Sequence, residues 1–192
     1  DVMKVMGIYP DESGTRPGLG LDCAGTVTRV GPGVDLQVGE RVVTAVDAGA
    51  LATHIIAQAR HTQLVPATMD NQTAAALPSV MMTAWHALVD LAGLRSGEVV
   101  LIHSAAGGLG LAAIGVARHI GAEVIVTAGT PEKRAYLTDL GIEHVFDSRG
   151  LDWADDVLAA TAGEGVDVVL NSLTGAGLQR GMEVLRDGGR FI

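Results

Sequence analysis

Cysteine is almost absent from this chain of 192 residues: Cys23 stands alone. A single thiol excludes an internal disulfide and any multi-thiolate metal site, reads as a buried inert side chain, and places the protein in a reducing, cytoplasmic compartment. Basic clusters are also missing, and the net charge is −9. Phosphate backbones and anionic membranes need a concentrated cationic face, so nucleic acid and membrane surfaces are excluded as partners. No apolar run approaches the ~20 residues of a membrane span; the longest, Leu109 to Ala117, is ended by Arg118. Solenoid repeats and low-complexity tracts are lacking too. So is an initiating methionine: the chain opens on Asp1 and closes inside a strand-like Arg190-Phe191-Ile192, so both ends read as cuts in a longer polypeptide.

What is present is 48 % hydrophobic residues and 26 glycines dispersed among apolar segments, the composition of a globular α/β protein. Residues 1–72 carry short β-branched runs, Gly25 to Val30 and Arg41 to Val46, around Pro32-Gly33, and read as a small antiparallel β unit. The period changes at Asp70 or Asn71, which can cap a helix over Ala74 to Leu77, and a second helix is expected from Val80 to Leu91. Within 73–192, strands at Val99–His103, Glu123–Thr127, His144–Phe146, Asp167–Leu170 and Arg190–Ile192 alternate with helices at Gly110–Ile120, Pro131–Leu140, Trp153–Ala160 and Gly177–Leu185. That order predicts a doubly wound parallel sheet.

The sharpest local feature is Val99 to His103 followed by Ser104-Ala105-Ala106-Gly107-Gly108-Leu109-Gly110: a buried strand, a turn of small residues, then a helix. A dinucleotide pyrophosphate needs backbone N–H groups at a helix N-terminus and no side chain in the way. Gly107 and Gly108 permit that approach, Gly110 lets helix and strand pack closely, and Ala105 replaces the first glycine of the usual G-x-G-x-x-G. About 20 residues past that position an NAD site carries an acid. Here Thr127 stands there, and Thr127 to Arg134, with Gly129, Thr130 and Lys133, offers hydroxyls and cations suited to a 2′-phosphate. NADPH is therefore the expected cofactor, although Lys133 and Arg134 also fit a solvated helix face.

Gly20-Leu21-Asp22-Cys23-Ala24-Gly25, with Gly31, Val34 and Gly39-Glu40-Arg41-Val42, resembles the signature of the medium-chain dehydrogenase/reductase superfamily. Leu21 and Asp22 stand where zinc alcohol dehydrogenases carry the His-Glu of their ligand motif, and the six histidines show no ligand spacing, so no metal is expected. Asp1 to Pro10, His103 to Gly110 and Asp167-Val168-Val169-Leu170-Asn171-Ser172-Leu173 further resemble the enoyl reductase domains of polyketide synthases and animal fatty acid synthase, the polyketide type being favoured.

The resemblance implies a dinucleotide-binding (Rossmann) domain at 73–192, truncated at its C-terminal end, beside a partial GroES-like β domain at 1–72. It implies hydride transfer from NADPH to the β-carbon of an α,β-unsaturated acyl thioester on a carrier domain of the same polypeptide, in a homodimer. Tyr9, Lys133 and Asp152 match family positions linked with proton donation to the α-carbon; Tyr9 equally fits an amphipathic side chain at the core edge, and Lys133 a 2′-phosphate ligand. Ser148 and Arg149 match positions that contact the adenosine phosphate, and Thr83 and Asn171 match residues beside the nicotinamide, whereas Met81 and Met82 read as core filling. A free-standing quinone or enone reductase and a non-catalytic nucleotide-binding module are the alternative readings.

Overall fold

The computed structural model describes residues 1–9 and 18–192, so Pro10, the last residue of the first resemblance segment, lies outside the described residues. The chain divides into two compact units, Asp1–Ser79 and Val80–Ile192.

In the first unit a short helix, α1 (Val2–Val5), precedes a three-stranded antiparallel sheet of β1 (Asp22–Thr26), β2 (Arg41–Ala45) and β3 (Thr62–Leu64) in that order. β1 lies earlier than the β-branched run predicts. The ladder with β2 covers Asp22 to Thr26, and beyond a last pair of bonds between Val27 and the Gly39-Glu40 segment the run leaves the sheet. α2 (Asn71–Ala75) is capped by Asp70, whose carboxylate accepts the Thr73 N–H at 2.7 Å. Arg41 on β2 holds this helix start by donating to the Met69 carbonyl at 2.6 Å and to Asn71 Oδ1 at 2.9 Å.

The boundary falls inside α3 (Pro78–Trp85), which passes into a π-helical turn at His86–Leu91, so the expected continuous helix is wound in two ways. Met81 and Met82 are 36 % and 54 % exposed; the helix buries Ala84 instead, which overturns their reading as core filling. Then follow β4 (Val99–Ile102), α4 (Gly108–Ile120), β5 (Glu123–Ala128), α5 (Pro131–Asp139), β6 (His144–Asp147), α6 (Trp153–Ala160), β7 (Val166–Leu170), α7 (Ala176–Glu183) and β8 (Leu185–Phe191). All strand pairs are parallel, in the order β6-β5-β4-β7-β8.

Both sheet faces are covered, as a parallel sheet requires. Alternate strand residues Val100, Ile102, Val126 and Val168 pack with Ala113 and Ala117 of α4, while Leu101, Ile125 and Val169 pack with Trp153, Ala154 and Val157 of α6. Between the pairs Val166/Leu185 and Val168/Arg190 the register slips, so that Arg186 to Gly189 bulge outward opposite Asp167. No helix among the described residues is long and apolar enough to cross a membrane.

Candidate functional site

The strand order reverses direction between β4 and β7, so the connections leaving their carboxyl ends run to opposite faces and open a crevice there. The turn after β4 fills one wall. Ser104 adopts a left-handed backbone at φ 53°, the Ala105 N–H donates to the Thr127 carbonyl at 3.0 Å, and Gly107 caps α4. The first N–H groups of α4 lack partners within the helix and face outward with its positive dipole end. Gly110 admits no other residue: a Cβ there would lie 2.4 Å from Ala105 Cα. Gly108 lies under α3, with its Cβ position 3.3 Å from Val80 Cγ1. The half-buried Ala106 and Leu109 pack on the core beside the buried Ala105. The turn thus presents backbone alone to the crevice, the arrangement that could hold a pyrophosphate.

The facing wall comes from β7. The Asn171 side chain both accepts from the Leu173 N–H and donates to the Leu173 carbonyl, each at 3.0 Å, which folds the turn that carries Ser172. The Ser172 and Ser104 hydroxyls meet at 2.7 Å across the crevice. Sequence reading passes over Ser172 as a site residue, yet the signal exists: Ile102 pairs with Leu170, and two residues on from each stand the two serines.

The residues expected to contact the adenosine phosphate lie at the ends of β5 and β6. Gly129 is overlain by Ser148 and Arg149, for a Cβ on Gly129 would sit 3.0 Å from Arg149 Nε and 3.4 Å from Ser148 Oγ. Thr130 caps α5, with Lys133 in the first turn. Arg134 is committed to Asp147 at 3.0 Å and to the Ala128 carbonyl at 3.2 Å, whereas the exposed side chains of Lys133 and Arg149 hold no partner among the described residues.

Thr127 behaves differently from its expected part in cofactor contact. It is fully buried, its hydroxyl lies 2.8 Å from His103 Nδ1, and its carbonyl holds the phosphate turn, so the side chain is turned inward. His103 rests edge-on against Trp153, and burial lowers its pKa to about 4, which keeps the imidazole neutral.

The three expected proton donors stand on different elements. Tyr9 belongs to the first unit, its ring 5.5 Å below the Lys4 ammonium, while Lys133 and the exposed Asp152, which precedes α6, belong to the second. Thr83 is exposed on α3.

A zinc centre does not fit the residues present. Both Asp22 carboxylate oxygens accept from Ser79, burial pushes the Cys23 thiol up, and the described residues hold no cluster of three His, Cys, Asp or Glu side chains suited to a metal. An open cleft of about 360 Å³ in the first unit is lined mainly by small and apolar residues, with His54 and Arg29 among the lining side chains.

Residues 108–192 match the family model described as zinc-binding dehydrogenase. The whole chain is 47 % identical to the mycocerosic acid synthase-like polyketide synthase of Mycobacterium tuberculosis, of which it spans 9 %. Among solved structures it superposes over its full length on the CurK enoyl reductase with TM-score 0.90 and 39 % identity, covering 60 % of that chain. Over 59 % of its length it matches the nucleotide-binding subdomain of the enoylreductase domain of PpsC from M. tuberculosis, with 53 % identity, TM-score 0.58 and 63 % of that chain covered. Turn, strand order and kinship agree: over its whole length the chain is similar to enoyl reductase domains of polyketide synthases, which lie within the medium-chain dehydrogenase/reductase superfamily.

Proposed function

We propose that this chain reduces the α,β double bond of an acyl thioester carried by an acyl-carrier domain of its own polypeptide, with NADPH as the reductant, in a cytoplasmic homodimer. The backbone cradle at the reversal of strand order carries the reading: Gly110 lets the start of α4 pack directly on the turn at Ala105, and Gly107 and Gly108 keep the helix N-terminus bare for a pyrophosphate. NADPH, when bound, supplies a hydride from nicotinamide C4 to the β-carbon of the substrate.

The chain's own residues do the rest. The α4 N-terminus binds the pyrophosphate; Arg149, Ser148 and Lys133 bind the 2′-phosphate, beside Gly129 and Thr130; Thr83 and Asn171 line the nicotinamide end. Hydride addition leaves an enolate, and a proton on its α-carbon completes the reduction. Tyr9, Lys133 and Asp152 are the donors to test, and a phenol suits the task by presenting a proton without carrying charge.

Turnover of a crotonyl thioester by the purified chain, with NADPH consumed in equal amount to butyryl thioester formed, tests this function. Tight cofactor binding with no saturated thioester product would overturn it in favour of a nucleotide-binding module.

A further inference from the structure

The three cations at the ends of β5 and β6 are not equivalent, and one carboxylate makes them so. Asp147 Oδ1 accepts the Arg149 backbone N–H at 2.9 Å, a turn in which an aspartate side chain stands in for a backbone carbonyl. Asp147 Oδ2 meets Arg134 Nη1 at 3.0 Å. The same Arg134 nitrogen donates to the Ala128 carbonyl at 3.2 Å, and the Ser148 N–H reaches that carbonyl at 3.3 Å. These bonds fasten the two strand ends together, and the turn sends the Arg149 side chain back over the bare Cα of Gly129. The other acid nearby, Glu132, is in the first turn of α5, where its own backbone N–H and the Thr130 hydroxyl hold it below the usual carboxylate range.

On the reading that this end of the sheet takes the adenosine 2′-phosphate, we infer that Asp147 is the positioning residue for cofactor discrimination: it fixes Arg149 over Gly129, and Arg134 neutralises it. Both halves are needed. Without the turn, Arg149 is a long flexible side chain with many orientations, and much of the gain from a charge-assisted bond is lost in ordering it. Without Arg134, a bare carboxylate would stand beside the incoming phosphate and oppose it.

The test measures affinities of the 192-residue chain for NADPH and NADH, and for 2′,5′-ADP and 5′-AMP, which report on the adenosine end alone. The variants are D147A, D147N, R134Q, R149A and the D147A/R149A pair. A wild type without preference for the 2′-phosphate sinks the NADPH reading and this inference with it. Given that preference, D147A is expected to reduce it about tenfold, with NADH affinity within about twofold of wild type. D147N keeps the acceptor for the Arg149 N–H and is expected to retain the preference. D147A should add nothing once Arg149 is removed. R134Q, which leaves the turn in place, is expected to lower the preference about fivefold by uncovering the carboxylate, and it keeps the test open should D147A fold poorly. The inference is overturned if D147A weakens both cofactors equally, if D147N falls as far as D147A, if losses in the double variant are additive, or if R134Q changes nothing.

Discussion

The Arg190 guanidinium grips the Glu98 carboxylate with two bonds, at 3.0 and 2.6 Å, across 92 residues of sequence. Its Nε also donates to the Ala92 carbonyl at 2.9 Å, so one side chain ties β8 to the segment entering β4. Hydrogen bonding from Arg190 holds the Glu98 carboxyl below the usual range despite opposing desolvation. Arg190→Ala strands a largely buried carboxylate and a carbonyl, and is expected to cost about 2–4 kcal/mol in urea unfolding. Hydrogen exchange should quicken first in β8. A midpoint equal to wild type would show that the grip adds nothing.

Acid should weaken the fold through His103. The unfolded chain binds a proton at this residue near the ordinary histidine value of 6.5, while burial delays protonation in the folded chain to about 4. The unfolded state therefore binds more protons between those values, and stability, complete above 6.5, falls as pH drops towards 4. About 1.4 kcal/mol per pH unit is expected, or about 2 kcal/mol by pH 5. Stability curves for wild type and His103→Asn between pH 7 and 5 check this, and parallel curves would exclude His103 as the source.

Two glycines of the same helix should respond oppositely to alanine. Gly110→Ala places a methyl 2.4 Å from Ala105 Cα, so α4 must move off the turn, at an expected cost of about 3 kcal/mol and with loss of cofactor binding. Gly115 has open space around its Cβ position, and Gly115→Ala is expected to add up to about 1 kcal/mol. Thermal melts of both variants decide the matter, and equal effects would contradict the close-approach account.

Lys133→Ala and Arg149→Ala should each weaken NADPH by about 1.5–3 kcal/mol and leave NADH nearly unchanged, because only the phosphate loses a charge-assisted partner. Isothermal titration with both cofactors measures the difference. Equal losses would move these cations out of the phosphate site.

Chelators should leave activity untouched, since Ser79 occupies both oxygens of Asp22, the residue standing at the zinc-ligand position. Elemental analysis that finds stoichiometric zinc in active protein would refute this.

The second unit was largely legible because fully buried parallel strands read as unbroken apolar runs between glycine turns, and its helices are long enough to show their period. β3 escaped notice, for three residues between His61 and Pro66 are too few to show alternation. The β-branched residues 27–30 misled in the opposite sense, since propensity does not reveal where pairing stops. Thr127 shows the limit of counting from a motif. Its distance from the phosphate loop is right, but strand parity places it on the face of Ile125, towards His103 and Trp153. Asp147 needed tertiary information for Arg134, although Asp-Ser-Arg-Gly at a strand end already spells a turn.

The slipped register of β8 bears on how that strand could be extended by pairing. An exposed strand recruits a second sheet when it presents a straight row of unpaired donors and acceptors. Arg186 to Gly189 arch away from that row, and Gly188 reverses the backbone at φ 77°. Along these four residues the outer side of β8 therefore offers no straight row of donors and acceptors to an added strand. The bulge thereby acts as a guard on its own strand: it withholds from β8 the flat, regular surface on which strand after strand could stack.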